Sequence, residues 1–300
     1  MTTTDSMQAN VSDQANPAGE ANWVIVAGAA AVQSGAAPTL RDIADRTDIG
    51  IFNTWGSKGL FPWNHPAHLG TIGLQERDVE LAGLAGFDMV VLCGVTDDEL
   101  DRDALTAAGV AWRDVMPVDI GDERLPGRTR PTPRPPLYDA LAAVCQPLYA
   151  DDTTPVNPAR AAADLASLLP DSGVVAADTG RVGFWLGRTF PTTALGSMQL
   201  PIRPTSGFAV TQALMARRTG RFGIAVLDAI DDVSRTVIDR AKDLVIEVWT
   251  SDGPARCADE RKQAILDAHD AGGVHVLQLG VRFSEIDALV AVAGAPRWGA

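Results

Sequence analysis

The chain has 300 residues, 46% apolar and 21% charged, enough to bury one large core or two ordinary ones and unlike either a disordered or a membrane protein. Its net charge of −13 argues against nucleic acid or an anionic membrane surface as partner, since phosphates would repel it. The three cysteines (Cys93, Cys145, Cys257) form no CxxC pair and no apolar run reaches a spanning length, so neither a disulfide framework, a structural zinc site nor a membrane helix is expected, and a cytoplasmic location fits best.

In chain order, residues 1–21 are polar, lack an apolar core and read as a floppy tail. Trp23–Ala27 is a β-branched run entering a turn of small residues, as a buried parallel strand does. A helix is expected over Thr39–Arg46 with Thr39 as its cap, then a strand over Ile49–Thr54. Asn53–Gly73 reads as a loop rich in glycine, proline and histidine. A helix over Glu76–Ala85, a strand over Asp88–Gly94, a helix over Leu100–Ala108 and a strand over Trp112–Ile120 complete the first block. The acidic run Asp97, Asp98, Glu99, Asp101 and Asp103 reads as a solvated helix start favoured by the dipole.

Leu125–Pro136 holds five prolines in twelve residues and predicts an extended interdomain linker, an SH3-type ligand being the rival reading. Beyond it, helices are expected over Asn157–Leu169, Phe208–Arg217, Val233–Lys242 and Lys262–Ala271. Strands are expected over Gly173–Ala177, Phe222–Leu227, Leu244–Trp249 and His275–Val281. Strands alternating with helices predict an α/β fold of two Rossmann-like three-layer domains with mostly parallel sheets. Gly28-Ala-Ala-Ala completes no GxGxxG, and no GxSxG, HExxH or P-loop pattern occurs.

Asn53–Gly73 carries Thr54, Gly56, Lys58, Gly59, then Pro62, His65, Pro66, then Leu69, Gly70, Gly73. This order resembles the TT-x-G-x-K-G, P-x-x-H-P and L-G-x-x-G elements in the central domain of thiamine-diphosphate (ThDP) enzymes of the acetolactate synthase and decarboxylase type. Val26-Ala-Gly-Ala, Ser34-Gly-Ala, the Asp88–Gly94 strand and Pro117–Asp119 agree with the flanks, so the resemblance spans Asn22 to Asp122. Lys58 and His65 are expected to be a solvated loop cation and a histidine bonded to loop carbonyls, and His68 has no better claim to chemistry. The second block resembles, more thinly, the family's cofactor-binding domain, through Asp178-Thr-Gly180, Phe184-Trp185, Leu195-Gly-Ser-Met198 and Asp228.

The resemblance divides the chain into a central-domain-like part (22–124), the linker (125–136) and a reduced cofactor domain (137–300). It implies ThDP held by Asp178, Gly180, Gly196, Ser197, Met198 and Asp228, with magnesium on Asp228 and, in place of the family's asparagine, Asp252. Departures accompany it. No asparagine follows Asn157, Leu227 replaces the first glycine of the diphosphate motif, Gln199 replaces a glycine, Val182 stands where many members have histidine, and Pro201 and Pro204 interrupt a helix start. The catalytic glutamate of the family's pyrimidine domain is expected to lie outside this chain. The expectation is a degenerate homologue, inactive alone, with a scaffolding or regulatory role, as a homo-oligomer or with a pyrimidine-domain chain. The alternatives are one chain of a two-chain ThDP/Mg lyase or synthase, and a nucleotide (FAD or ADP) module.

Overall fold

Runs such as Val24–Ala27, Val90–Cys93 and Ile224–Leu227 are apolar at every position, so they leave no face for water and fit only a sheet covered on both sides. In a computed structural model, which describes residues 21–125 and 137–298, these runs are central strands with almost no exposed surface. The tail and nearly all of the proline-rich connector fall outside the described residues.

The first half comprises β1 (Trp23–Ala27), α1 (Ala29–Gln33), α2 (Ala37–Thr47), β2 (Ile51–Thr54), β3 (His68–Ile72), α3 (Asp78–Leu81), β4 (Met89–Cys93), α4 (Arg102–Ala107) and β5 (Trp112–Val115). The second comprises α5 (Asp139–Tyr149), α6 (Pro158–Leu168), β6 (Val174–Ala177), α7 (Arg181–Thr189), β7 (Met198–Gln199), α8 (Phe208–Arg218), β8 (Gly223–Leu227), α9 (Asp232–Ile238), β9 (Leu244–Thr250), α10 (Ala258–Ala271), β10 (Val274–Gly280) and α11 (Ile286–Ala293). Two five-stranded sheets result, ordered β3-β2-β1-β4-β5 and β10-β9-β8-β6-β7, and every pairing is parallel. Each reverses its winding once, between β1 and β4 and between β6 and β8. Open α/β sheets place ligands at such switch points.

Several expectations are corrected. Pro38 is tolerated in a first helical turn, so α2 starts at Ala37 and Thr39 lies inside it instead of capping it. Gly83, at φ +66°, ends α3 early, leaving a four-residue helix and a separate 3₁₀ turn where one longer helix was expected. His68–Ile72, read as loop, is a fully buried strand paired with β2 across a register shift between Ile51 and Phe52. Strand β5 stops at Val115, two residues before Pro117, well short of Ile120.

The outer faces of the sheets have separate cores, against α2 in the first and α8 in the second. A third core is common to both, running from Val24 and Phe52 through Leu74, Leu141, Leu165 and Trp185 to Val226 and Trp249. Within it lies a buried clamp. Arg188 of α7 donates to both carboxylate oxygens of Asp78 at 2.8 and 3.0 Å, to Gln75 Oε1 at 3.1 Å and to the Thr71 carbonyl at 3.1 Å. Asp78 Oδ2 also accepts the amides of Leu74 and Gln75, and the Gln75 side chain donates to the carbonyls of Leu289 and Gly294. Each partner's side chain is 1% exposed.

Removing one member of such a pair strands the other without a counter-ion. Arg188→Met is expected to cost about 3–5 kcal/mol in urea unfolding, and adding Asp78→Asn should recover part of it, because asparagine still accepts the two amides.

Candidate functional site

At the first switch point β1 and β4 end in Gly28 and Gly94, and their backbones cross in contact. A Cβ at Gly28 would lie 2.4 Å from the Gly94 carbonyl oxygen, and one at Gly94 (φ +62°) 2.3 Å from the Ala31 nitrogen. Glu99, 0% exposed, closes what remains. Its Oε1 accepts the Ala29 amide at the start of α1 (3.0 Å) and the Thr54 hydroxyl (2.5 Å), and its Oε2 accepts the Thr96 amide (3.0 Å) and hydroxyl (3.1 Å). Two motif glycines make room for it: a Cβ at Gly56 would sit 2.5 Å from Glu99 Oε1, and one at Gly73 2.1 Å from the Glu99 carbonyl oxygen. Of the acidic run, then, Asp101 caps α4 as expected, but Glu99 is not solvated; four donors hold it inside. The T-x-x-E spacing of Thr96 and Glu99, a capping-box pattern, was the available signal.

The second switch point repeats the arrangement. Asp228 follows β8 directly and its Oδ2 accepts the Val182 amide, in the first turn of α7, at 3.2 Å. Its Oδ1 has no hydrogen-bond partner and forms an ion pair with Arg181 Nε at 3.6 Å, while the Arg181 guanidinium stacks 4.0 Å from the Phe283 ring. Burial raises the Asp228 carboxyl above its ordinary range, against the Val182 amide and the Arg181 charge. Asp178 Oδ1 accepts the Ala209 amide at 2.8 Å, the first turn of α8. It too is raised, by burial first and then by the nearby charges of Asp231 and Asp228, which places these three carboxylates close together. A Cβ at Gly180 (φ +118°) would meet Asp228 Oδ2 at 2.8 Å.

The remaining implied cofactor residues scatter in role. Ser197 is buried and donates to the Ala194 carbonyl, Gly196 (φ +78°) makes the turn before β7, and Met198 is 3% exposed beside Val175. Leu227 packs into the core between the second sheet and α8. Asp252 is exposed, and the turn after it is tied to the end of β10 by the Gly280 amide to the Pro254 carbonyl at 2.9 Å. Among the described residues no three His, Cys, Asp or Glu side chains could hold a metal, and no helix is long and apolar enough to cross a membrane.

A magnesium-bound diphosphate does not fit this set. It needs helix amides facing it and two or more oxygen ligands on the metal. Here the Val182 and Ala209 amides already serve carboxylates, and among the described residues no three His, Cys, Asp or Glu side chains are arranged to hold the metal. The cleft of about 710 Å³ bordered by Gly180 also carries Glu76, Asp98 and Asp101 against one cation, Arg297.

A cavity of about 910 Å³ lies where the strand ends of the first sheet meet residues 196–212 of the second. Trp55, Met198, Leu200 and Phe208 line it, together with Lys58. The Trp55 indole donates to the Pro201 carbonyl at 3.2 Å and packs edge-on against Trp298. Lys58 is only 3% exposed, contrary to the expectation of a solvated loop cation, and its Nζ has no hydrogen-bond partner. It sits 4.8 Å from the Trp63 ring centre, a contact worth about 1–2 kcal/mol against the several that an unpaired buried ion costs. Burial, and then the Arg188 charge, lower its pKa to about 7. His68 lies nearby, bonded to Asn53 Oδ1 and the Trp63 carbonyl, and burial followed by the Lys58 charge lowers it to about 4. His65 Nδ1 accepts the Ala67 amide within its own loop, at 3.2 Å, where a loop carbonyl was the expected partner.

Two five-stranded, all-parallel sheets flanked by helices define an α/β fold of Rossmann-like domains. Residues 18–132, somewhat over a third of the chain, match the family described as thiamine pyrophosphate enzyme, central domain. Acetolactate synthases of Mycobacterium avium and Mycobacterium leprae (strain TN) are each 29% identical over 105 residues, 34% of this chain and 17% of theirs. The matched segment thus spans under a fifth of those relatives. A protein of Mycobacterium smegmatis, whose X-ray structure is described as that of a thiamin diphosphate-dependent enzyme, superposes with a TM-score of 0.62 at 16% identity. That likeness covers 86% of this chain and 61% of the other, and is one of fold.

Lys58 binds fewer protons folded than unfolded between pH 7 and 10.5, so its burial costs most below pH 7 and the cost fades as pH rises through that window. Lys58→Met, similar in volume, is therefore expected to stabilise the chain. Urea unfolding should show the gain largest at pH 7 and below, shrinking by up to about 1.4 kcal/mol per pH unit above it.

Proposed function

We propose that this chain is a non-catalytic member of the ThDP-dependent enzyme family, with a scaffolding or regulatory role and no ThDP of its own. The observation that carries the reading is the use made of Asp228, the magnesium ligand implied by the family resemblance. Its carboxylate is bonded to the Val182 amide and paired with Arg181, and Asp252, the second implied ligand, is exposed on a turn anchored at β10. Asp178 likewise serves the first turn of α8. Each helix end that would receive a diphosphate receives a side-chain carboxylate instead, and two negative groups do not share one set of amides. The nucleotide alternative meets the same obstacle at Ala29, where Glu99 sits.

The two-chain enzyme remains the rival, because Asp228 Oδ1 has no hydrogen-bond partner and would be free for a metal if Arg181 swung away. Isothermal titration of the full chain with ThDP and Mg²⁺ separates the two. The proposal expects no saturable heat up to about 1 mM ThDP, whereas a Kd in the micromolar range (roughly −8 kcal/mol) that is lost in Asp228→Ala would favour the rival.

A further inference from the structure

The edge of an open sheet recruits further strands unless something prevents it. Among the described residues three of the sheet edges are guarded: β3 is buried at every position, β7 is two residues long, and β5 carries Arg113 and Asp114. The fourth, β10, has none of these protections. It runs for seven residues, Val274 to Gly280, with no proline, no Lys, Arg, Asp or Glu, and no register shift against β9. Its odd-numbered positions turn their backbone to β9: the Gly273 carbonyl accepts the Leu244 amide, and the Val281 amide donates to the Thr250 carbonyl. Val274, Val276 and Gln278 therefore turn their N–H and C=O groups outward. Their side chains are exposed, the valines at 37% and 42%, whereas Leu277 and Leu279 on the other face join the core with Ile265 and Ala268 of α10.

The two ends of this edge decide what can lie along it. At one end the Gly280 amide is taken by the Pro254 carbonyl, and Gly253 packs against the backbone of Leu279 and Gly280. At the other, Gly272 and Gly273 carry no side chain, and a Cβ at Gly272 would meet nothing within 4 Å. A second β10, antiparallel about a two-fold axis at Val276, matches both. Val276 then faces its own copy, Val274 faces Gln278, and the occupied Gly280 end of each strand faces the bare Gly272 end of the other. The contact buries no charge, which suits a chain whose net charge of −13 opposes self-association elsewhere. Charge at the rim agrees with this register. Arg256, two residues beyond Pro254, and Asp270, two before Gly272, are in no ion pair among the described residues, and the pairing brings each toward its opposite in the second copy. We propose that β10 pairs antiparallel with β10 of a second copy of this chain, joining the two second-half sheets into one continuous sheet. So short a contact falls below the roughly 800 Å² per partner of a standard interface, so the dimer is a weak one, with a Kd of about 1–100 μM. This goes beyond the non-catalytic reading and does not rest on it: the ThDP titration and dimerisation can each succeed or fail without the other.

Sedimentation equilibrium of the full chain across about 1–300 μM should show a reversible monomer–dimer system. Val276→Lys sets two ammonium groups against each other at the axis and should weaken the dimer at least about tenfold, with the monomer still folded by circular dichroism. Arg256→Asp and Asp270→Arg should each weaken it, and the double variant should be tighter than either. Hydrogen exchange needs no variant: in the unaltered chain the Val274, Val276 and Gln278 amides should exchange more slowly as concentration rises through the Kd. A chain still monomeric at about 300 μM, its edge left for a strand of some other protein, would overturn the proposal. So would a dimer untouched by Val276→Lys, a double variant no tighter than the single ones, or a dimer that leaves exchange at those three amides unchanged. If a variant does not fold, exchange in the unaltered chain decides alone.

Discussion

The buried pair between Arg188 and Asp78 determines how the two sheets meet. Asp78 gathers the amides of Leu74 and Gln75 into one turn, and Arg188 carries α7 onto that turn and onto the Thr71 carbonyl beside it. Such a pair does little for net stability compared with an apolar replacement, but it fixes orientation, since its hydrogen bonds form in one geometry only. With α7 so placed, Gly180 and Val182 at its start face Asp228, the shared core closes around Trp185, and residues 196–212 come to rest over the strand ends of the first sheet. The interdomain cavity and the environment of Lys58 are consequences. Arg188 also adds its charge to the burial that depresses the Lys58 amine.

Both sheets treat their switch points alike. The strand across the break supplies a carboxylate, Glu99 after β4 and Asp228 after β8, and each bonds an amide in the first turn of the helix that follows the first strand of its sheet. An exposed helix start is an anion site and carries orphan amides. Filling it internally satisfies those amides and consumes the site. On the proposed reading, the chain keeps the Rossmann-like architecture while its own side chains take helix ends that could receive an anion. The family's central-domain glycines then acquire a local purpose, because Gly56 and Gly73 are small where Glu99 and its backbone pass.

Much of this was legible in the sequence, and the remainder was hidden for identifiable reasons. Strands β1, β4 and β8 declare themselves as continuous apolar runs, and the motif from Thr54 to Gly73 carries the resemblance to the ThDP-enzyme central domain. Strand β3 does not, since His68-Leu-Gly-Thr-Ile alternates little and is framed by turn residues; burial against β2 makes it a strand. Glu99 sits in a run of acids, and composition assigns such runs to solvent; only the spacing to Thr96 hints otherwise. Lys58 lies in a glycine-rich loop, where a lysine is ordinarily exposed, and its burial follows from a domain contact that no local pattern encodes. The Arg188–Asp78 pair joins positions 110 residues apart, beyond any periodicity. Of the site residues implied by the resemblance, Gly180 meets Asp228, and Asp252 is exposed on the turn after β9.

The central claim is that both switch-point helix ends are closed by the chain's own carboxylates. It is tested most directly by a crystal structure of the chain grown with millimolar ThDP and Mg²⁺. The account predicts Glu99 on the Ala29 amide and Asp228 on the Val182 amide, with no diphosphate density at either helix. A diphosphate seated at the start of α7, with Asp228 turned to a metal ion, would contradict it.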